Sequence, residues 1–372
     1  MSVRFLTAVS GRAFNMRDRF GREIDYMRIS VIDSCNLNCY YCNPQDNNKN
    51  CQAINILSVK KVLCIVRAAT RLGITHFRLT GGEPLLHPQI DEMVSQIKKI
   101  PGVRSVSLTT NAVLLAQHAK QLKEAGIDSI NVSLDTIDAS EYEHITKKPL
   151  LHKVEQGIDA AIECGIRVKI NAVLTPQTDV VALTRYASKK GTDIRFIEMM
   201  PVGEGHTNGV EPYEKVIGAL LEVYGTPCHI DTENREEINS GYNNADNGPA
   251  EYYSFHGLNI RVGLIQAIHG KFCDTCNRIR VTADGRLMPC LGSSVTMDLV
   301  PDSCEFTDDL EKDFVIVQAL KAAIKAKPGC HNFNDNAVTY TKTTETKTVE
   351  TKNTELKAAE VNAARNMSRI GG

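Results

Sequence analysis

Three closely spaced cysteines, Cys35, Cys39 and Cys42, have the spacing in this sequence that points most directly to metal chemistry. They follow an apolar, β-branched run at residues 27–32, which predicts a strand that ends in a loop carrying the thiols. A structural zinc ion or an electron-transfer cluster usually takes four protein ligands. Three thiolates on a cubane [4Fe–4S] cluster would instead leave one iron open to a small molecule. The alternative is a loop of ordinary buried cysteines.

A second group of three cysteines, Cys273, Cys276 and Cys290, lies far along the chain. The Asp-Gly pair at 284–285 separates two extended runs, which predicts a hairpin with a two-residue turn. In that hairpin Ile279 faces Cys290, so Cys290 returns close to Cys276. The sequence therefore predicts one three-cysteine site at this hairpin.

Two arginines of the same hairpin, Arg278 and Arg280, share one strand face because side chains alternate along a strand. Guanidinium groups beside a metal site suit a bidentate grip on phosphate. The competing interpretation is a zinc ribbon with two surface arginines. That site would need a fourth ligand, for which His269 is the candidate.

Strands and helices alternate between the two cysteine groups. Strands are predicted at 27–32, 76–80, 103–109, 130–134, 168–173 and 194–198. Helices are predicted from an N-cap at Ser58 to Gly73, at 114–125, around 154–162 and at 180–190. Six β-α repeats predict an α/β fold whose parallel sheet curves into a partial barrel, with its active site at the carboxyl ends of the strands. The polar segment 204–257 predicts no clear elements.

The composition excludes several classes of protein. The chain has 372 residues, a formal charge of −1 and 42% hydrophobic residues, which gives ample core and no general attraction to nucleic acid or membranes. No apolar run approaches the length of a transmembrane helix. Twelve cysteines without a secretory signal indicate a reducing compartment and thiols used for metal, so we expect a cytoplasmic protein.

The CxxxCxxC group after the first strand resembles the signature of the radical S-adenosylmethionine (SAM) enzymes. Further motifs resemble one branch of them, the GTP 3′,8-cyclases of molybdenum-cofactor biosynthesis (the MoaA family). The similarity runs from about residue 17 to 333 and resumes at residue 367. Its motifs are the second cysteine group, Cys-Asn-Arg-Ile-Arg at 276–280, Asp-Arg-Phe-Gly-Arg at 18–22, Gly-Gly-Glu-Pro at 81–84, Asn-Val-Ser-Leu-Asp at 131–135, Arg-Phe-Ile-Glu at 195–198, Gly-Pro-Ala at 248–250 and the terminal Gly-Gly.

This resemblance implies a partial (βα)6 TIM-like barrel with a C-terminal extension that carries a second [4Fe–4S] cluster. It implies cleavage of SAM to a deoxyadenosyl radical, which abstracts a ribose hydrogen of GTP so that the sugar attacks guanine C8. The GTP site would comprise Arg28, Arg78, Thr109, Lys169, Arg195, Arg278 and Arg280. SAM would contact Tyr41, Gly82, Ser133 and Met200, while Gly371 and Gly372 would enter the active site as a catalytic tail.

The resemblance also divides the chain into regions. These are an N-terminal extension (1–16), the barrel (17–203), the auxiliary-cluster region (204–333), a low-complexity linker (334–366) and the double-glycine tail (367–372). The linker contains three five-residue repeats at 341–355, for which we expect mobility. A reductase or flavodoxin-type protein would donate electrons, and a homodimer is compatible with the sequence.

Two other functions stay open at this point. One is a radical SAM enzyme that modifies a peptide and carries an auxiliary cluster, although such enzymes usually have more C-terminal cysteines. The other is a non-enzymatic electron-transfer or zinc-binding module, against which two separate three-cysteine groups argue.

Overall fold

The computed structural model describes residues 16–42, 54–200, 213–230, 248–270, 272–293, 296–299 and 309–331. The expectations for residues 1–15, for the linker with its repeats and for the terminal glycines Gly371 and Gly372 therefore lie outside the described residues.

Six strands and the helices between them form the frame of the molecule. The strands are β1 (Tyr26–Ser30), β2 (His76–Thr80), β3 (Ser105–Thr110), β4 (Ser129–Ser133), β5 (Arg167–Val173) and β6 (Asp193–Ile197). The helices are α1 (Val59–Thr70), α2 (Ile90–Lys98), α3 (Leu115–Glu124), α4 (Ala139–Thr146), α5 (Leu151–Glu163) and α6 (Val180–Lys190). These bounds agree with the predicted elements to within a few residues, and α2 and α4 are additional.

The C-terminal region adds shorter elements. They are α7 (Tyr213–Tyr224), β7 (Cys228–Ile230), β8 (Glu251–Ser254), β9 (Val262–Ile265), β10 (Arg278–Val281), β11 (Arg286–Met288), β12 (Met297–Asp298) and α8 (Asp309–Ala326). Three of them, α7, β7 and β8, fall in the segment 204–257, for which the sequence predicted no elements. The sequence interpretation therefore missed one helix and two strands in this segment.

All the described strands form one open sheet in the order β12-β11-β10-β1-β2-β3-β4-β5-β6-β9-β8-β7. Strands β1 to β6 run parallel, and the C-terminal region extends both edges because β10 pairs in parallel with β1 and β9 with β6. Within the described part of the chain, the end strands β12 and β7 do not pair with each other. The barrel is therefore partial, which confirms the predicted fold class.

The elements form where local chemistry favours them. The Ser58 side chain caps α1 by accepting a hydrogen bond from the Lys61 amide, and Gly73 ends the turn after the helix with a φ of +87°. Every residue of β2 is buried, as expected for a parallel strand covered on both faces. None of the helices in the described ranges is long and apolar enough to cross a membrane.

The hairpin of the second cysteine group differs from the prediction. When the pairing of β10 with β11 is extended, Cys290 lies opposite Arg278, so its predicted pairing with Ile279 is wrong by one residue. The turn has three loop residues, 283–285, and Gly285 takes a φ of +84°. Three-residue hairpin loops place a glycine in this left-handed conformation, and the Asp-Gly pattern does not distinguish them from two-residue loops.

Candidate active site at the carboxyl ends of the strands

The strands β1 to β6 end at a cavity of about 580 Å³. Both cysteine groups line it, namely Cys35, Cys39, Cys42, Cys273, Cys276 and Cys290. The predicted SAM contacts also line it, namely Tyr41, Gly82, Ser133 and Met200. So do six of the seven residues predicted for GTP, namely Arg28, Arg78, Thr109, Arg195, Arg278 and Arg280. The fold thus brings nearly all of the predicted site residues to one place.

The first cysteine group occupies the loop after β1. Burial raises the pKa of the Cys35 thiol to about 11 and that of Cys42 to about 12, and all three thiols are free. Asn111 approaches this group from the end of β3, since its Nδ2 lies 3.7 Å from the Cys35 Sγ. Because the raised pKa values disfavour the ionised thiols, thiolates at these positions need a nearby cation to stabilise them. Iron is such a cation, so this donor set fits a cluster.

Gly82 follows β2 and lies against the loop that carries the cysteines. A Cβ at Gly82 would lie 2.2 Å from the backbone oxygen of Ser34, so only glycine fits. Its amide donates a hydrogen bond of 2.7 Å to the Ile32 carbonyl oxygen. Glycine is thus required here by the close packing of two backbone segments, which joins the loops after β1 and β2.

The next residue, Glu83, is a buried carboxylate at the same end of the cavity. It accepts hydrogen bonds of 2.7 Å from the Thr110 hydroxyl and from the Asn111 amide. Burial raises the pKa of Glu83 to about 7, despite the amides that stabilise its charged form. The Glu83 carboxyl group therefore titrates near neutral pH, and in its ionised form it can hold a positively charged ligand group.

Tyr41 and Asp135 join the cysteine loop to the ends of β4 and β5. The Tyr41 hydroxyl donates a hydrogen bond of 2.5 Å to Asp135, which also accepts one of 2.8 Å from the Val173 amide. Burial raises the pKa of Asp135, and burial together with Asp135 raises that of Tyr41. This arrangement holds the Tyr41 ring beside the first cysteine group. Asp135 ends the Asn-Val-Ser-Leu-Asp motif at 131–135, but no local sequence pattern indicates this role.

The opposite part of the cavity is cationic. Strand pairing places Arg28 beside Arg280 on one side and beside Arg78 on the other, which forms a row of three arginines across β10, β1 and β2. Burial and the neighbouring arginines lower the pKa of Arg28 well below its ordinary value. Burial and Arg278 lower the pKa of Arg280 to about 10. Such a row is unfavourable by itself and favours binding of a polyanion.

Two further arginines of the lining have unused donors. The Arg195 Nε donates to Asn171 at 2.9 Å, while its buried Nη2 has no hydrogen-bond partner among the described residues. The same holds for the buried Nε of Arg278. Buried donors without a partner are costly and rare. A bound ligand with acceptor oxygens would satisfy them.

Lys169 is the one predicted GTP residue that does not line the cavity. It is 1% exposed and pairs in the sheet with Asn131 and Asp193, on the same face of β5 as the lining residues Asn171 and Val173. Burial, and secondly Arg195, lower its pKa to about 6. Its role in GTP binding stays a prediction.

Buried cations hold the second cysteine group in place. Arg22 forms an ion pair of 2.6 Å with Asp18 and donates to the carbonyl oxygen of Cys273 at 2.6 Å. Lys327 donates to the Cys276 Sγ at 3.4 Å. Burial opposes ionisation of Cys276, but Arg278 and Lys327 outweigh it and lower its pKa to about 7. These thiols therefore also fit a cluster, and no sequence signal pointed to Lys327.

The zinc-ribbon alternative depended on His269 as a fourth ligand. The His269 Nδ1 instead lies against the carboxylate of Glu198, whose other oxygen accepts from the Ile268 amide at 2.6 Å. His269 is also absent from the cavity lining. In the ranges that the structure describes, no three His, Cys, Asp or Glu side chains are arranged to hold a single metal ion. The geometry thus does not support a zinc ribbon.

Comparison with known proteins decides the family. Residues 29–183 match the Radical SAM superfamily, and residues 192–333 match Molybdenum Cofactor Synthesis C. A GTP 3′,8-cyclase of Clostridium perfringens is 36% identical over 322 residues, which cover 86% of this chain and 95% of that one. The GTP 3′,8-cyclase of Clostridium acetobutylicum is 36% identical and covers 88% and 98%. The chain belongs to the GTP 3′,8-cyclase family of radical SAM proteins. As a radical SAM protein it uses a [4Fe–4S] cluster and SAM.

The fold of this GTP 3′,8-cyclase family member is also similar to solved structures. The structure of Streptococcus suis SuiB bound to S-adenosylmethionine superposes with a TM-score of 0.53 at 15% identity, over 80% of this chain and 65% of that one. SuiB bound to its precursor peptide SuiA gives the same TM-score at 16% identity. At this identity the likeness concerns the fold alone.

Proposed function

We propose that this protein is a GTP 3′,8-cyclase. It converts GTP to (8S)-3′,8-cyclo-7,8-dihydroguanosine 5′-triphosphate in the first step of molybdenum-cofactor biosynthesis. The observation that carries the proposal is one cavity with two chemically different parts. Thiols, Gly82 and two buried carboxylates form one part, while five arginines and a second group of thiols form the other.

The first part of the cavity suits a [4Fe–4S] cluster with SAM. When bound, they supply an oxidising carbon radical that can abstract a hydrogen atom. Cys35, Cys39 and Cys42 would hold the iron, and Glu83 would attract the amino group of SAM. Tyr41, Ser133 and Met200 would line its remaining surface.

The second part of the cavity suits a nucleoside triphosphate. Arg28, Arg78 and Arg280 would grip the phosphate oxygens, while Arg195 and Arg278 would use their unpartnered donors. Cys273, Cys276 and Cys290 would hold a second [4Fe–4S] cluster whose open iron binds the guanine. Five arginines favour a polyphosphate over a peptide, which separates this proposal from the peptide-modifying alternative.

Anaerobic reconstitution followed by iron counting and by assay of 5′-deoxyadenosine with and without GTP tests the proposal. We expect iron for two clusters and production of deoxyadenosine that GTP stimulates. Cys35→Ala should abolish this production and retain about half the iron, because the second group is independent. Cys276→Ala should retain half the iron but lose GTP cyclisation, while Cys164→Ala, outside the cavity, should resemble the wild type.

Two outcomes would contradict the proposal. Loss of all iron in each of Cys35→Ala and Cys276→Ala would show that the two sites are not independent. Reconstituted protein that cleaves SAM but forms no cyclised GTP would point to another substrate. The electron donor, for which we propose a reductase or flavodoxin-type protein, can be replaced by dithionite in these assays. A homodimer is a separate proposal that size-exclusion chromatography tests.

A further inference from the structure

Lys327, directly after α8, is a buried lysine whose three ammonium hydrogens all have acceptors. The Nζ donates to the carbonyl oxygen of Arg278 at 2.8 Å, to that of Pro289 at 3.1 Å and to the Cys276 Sγ at 3.4 Å. The side chain is only 2% exposed. These acceptors lie on both arms of the hairpin, next to two of the three cysteines. One side chain therefore ties the two halves of the second cysteine group together.

The backbone around Lys327 is held on both sides. Its amide closes the end of α8 by donating to the Ile324 carbonyl oxygen at 3.2 Å. Arg22 donates to the carbonyl oxygens of Pro328 at 2.6 Å and Gly329 at 3.0 Å. The end of α8 on one side and Arg22 on the other thus fix the backbone of Lys327, so that its ammonium group is preorganised.

The charge of Lys327 has an unusual environment. In the part of the chain that the structure describes, no carboxylate forms an ion pair with it. A buried cation without an anionic partner is strongly unfavourable. Among its three acceptors, only the Cys276 sulfur can carry negative charge. An iron–sulfur cluster bound to the second cysteine group would supply this negative charge.

We propose that Lys327 is a positioning residue that raises the reduction potential of the second cluster through its hydrogen bond to the Cys276 sulfur. The inference rests on the proposed second cluster. A hydrogen bond and a positive charge at a ligating sulfur stabilise the reduced cluster, which carries more negative charge. Lys327 also fixes the hairpin, so that Cys276 and Cys290 keep their separation.

Redox titration of the reconstituted enzyme, followed by electron paramagnetic resonance, tests this role. Lys327→Met keeps the aliphatic stem but removes the charge and the donors. We expect the potential of one cluster to become more negative while the other stays unchanged and the iron content remains that of the wild type. The same titration in a Cys35→Ala background assigns the shifted signal to the second cluster. Lys325→Met, on the exposed side of the same helix end, is the matched control.

Each outcome decides the question. Unchanged potentials in Lys327→Met with full iron content would overturn the inference, as would equal shifts in Lys325→Met. If Lys327→Met fails to keep the second cluster, Lys327→Arg decides. If Lys327→Arg keeps the second cluster, the positive charge is what the site requires. If Lys327→Arg also loses the cluster, the role of Lys327 is purely structural. Wild-type protein with iron for one cluster only would refute the proposed second cluster, before any variant is compared.

Discussion

Replacing Arg280 by methionine distinguishes a substrate-binding arginine from a structural one, because the two roles predict opposite changes in stability. Arg280 is 7% exposed and lies beside Arg28 across the strand pair. Burial and Arg278 lower its pKa from 12.5 to about 10. The charged side chain is therefore destabilising in the nucleotide-free protein.

The size of the effect follows from that pKa. A lowering of this size corresponds to roughly 3 kcal/mol of unfavourable environment, at about 1.4 kcal/mol per unit. Lost hydrogen bonds and packing offset part of it, about 1–2 kcal/mol. We therefore expect Arg280→Met to raise the free energy of unfolding of the nucleotide-free protein by about 1–2 kcal/mol. For a chain of this length the melting temperature would rise by roughly 1–3 °C.

The same substitution should weaken GTP binding. Loss of a charge-assisted hydrogen bond to phosphate costs about 1.5–3 kcal/mol, which lowers the affinity roughly ten- to a hundredfold. Anaerobic calorimetry measures the affinity, and thermal melting without nucleotide measures the stability. Arg185→Met, an exposed arginine of α6, should change neither. A lower melting temperature in Arg280→Met with unchanged GTP affinity would refute the reasoning and show a structural arginine.

Three further predictions follow from the site. Gly82→Ala should destabilise the protein by about 1–3 kcal/mol and weaken SAM binding, since its Cβ would lie 2.2 Å from the Ser34 backbone oxygen; Gly218→Ala, in an open helical position, should melt no lower than the wild type. Glu83 has a pKa of about 7, above the ordinary 4.5, so the folded protein binds more protons between these values and its free energy of unfolding falls as the pH rises from 4.5 to 7. Glu83→Gln should remove that pH dependence. A difference in melting temperature between wild type and Glu83→Gln that stays constant with pH would contradict this prediction. Deletion of residues 371–372 should leave both clusters and GTP affinity intact but suppress cyclised product, and full activity would show a dispensable tail.

The sequence was informative wherever the controlling interactions are local. The bounds of β2 and α6 agree with the predicted strand 76–80 and helix 180–190, since each depends on a short hydrophobic pattern and its end signals. The cysteine spacings, 35–42 and 273–290, likewise identified both groups that line the cavity. Alternation of strands and helices was sufficient for the parallel sheet, because few topologies accommodate it.

Other features depended on contacts between distant parts of the chain. The hairpin register turned on whether its loop has two or three residues, which the Asp-Gly pattern leaves undecided. Lys169 looked like its arginine counterparts in sequence, yet it is buried before the point where β5 reaches the cavity at Asn171. Lys327 carried no motif, and only the packing of α8 against the hairpin brings its ammonium to Cys276.

The chemical groups of the site can be read from the chain: six thiols in two groups, arginines on strands and glycines at close approaches. How those groups meet depends on contacts between distant segments. Arg28 and Arg280 lie far apart in the sequence, and they become neighbours because β10 adds to the edge of the sheet beside β1. Strand order and register arise from long-range pairing and burial, which no local pattern encodes. The row of arginines and the shape of the cavity follow from that pairing.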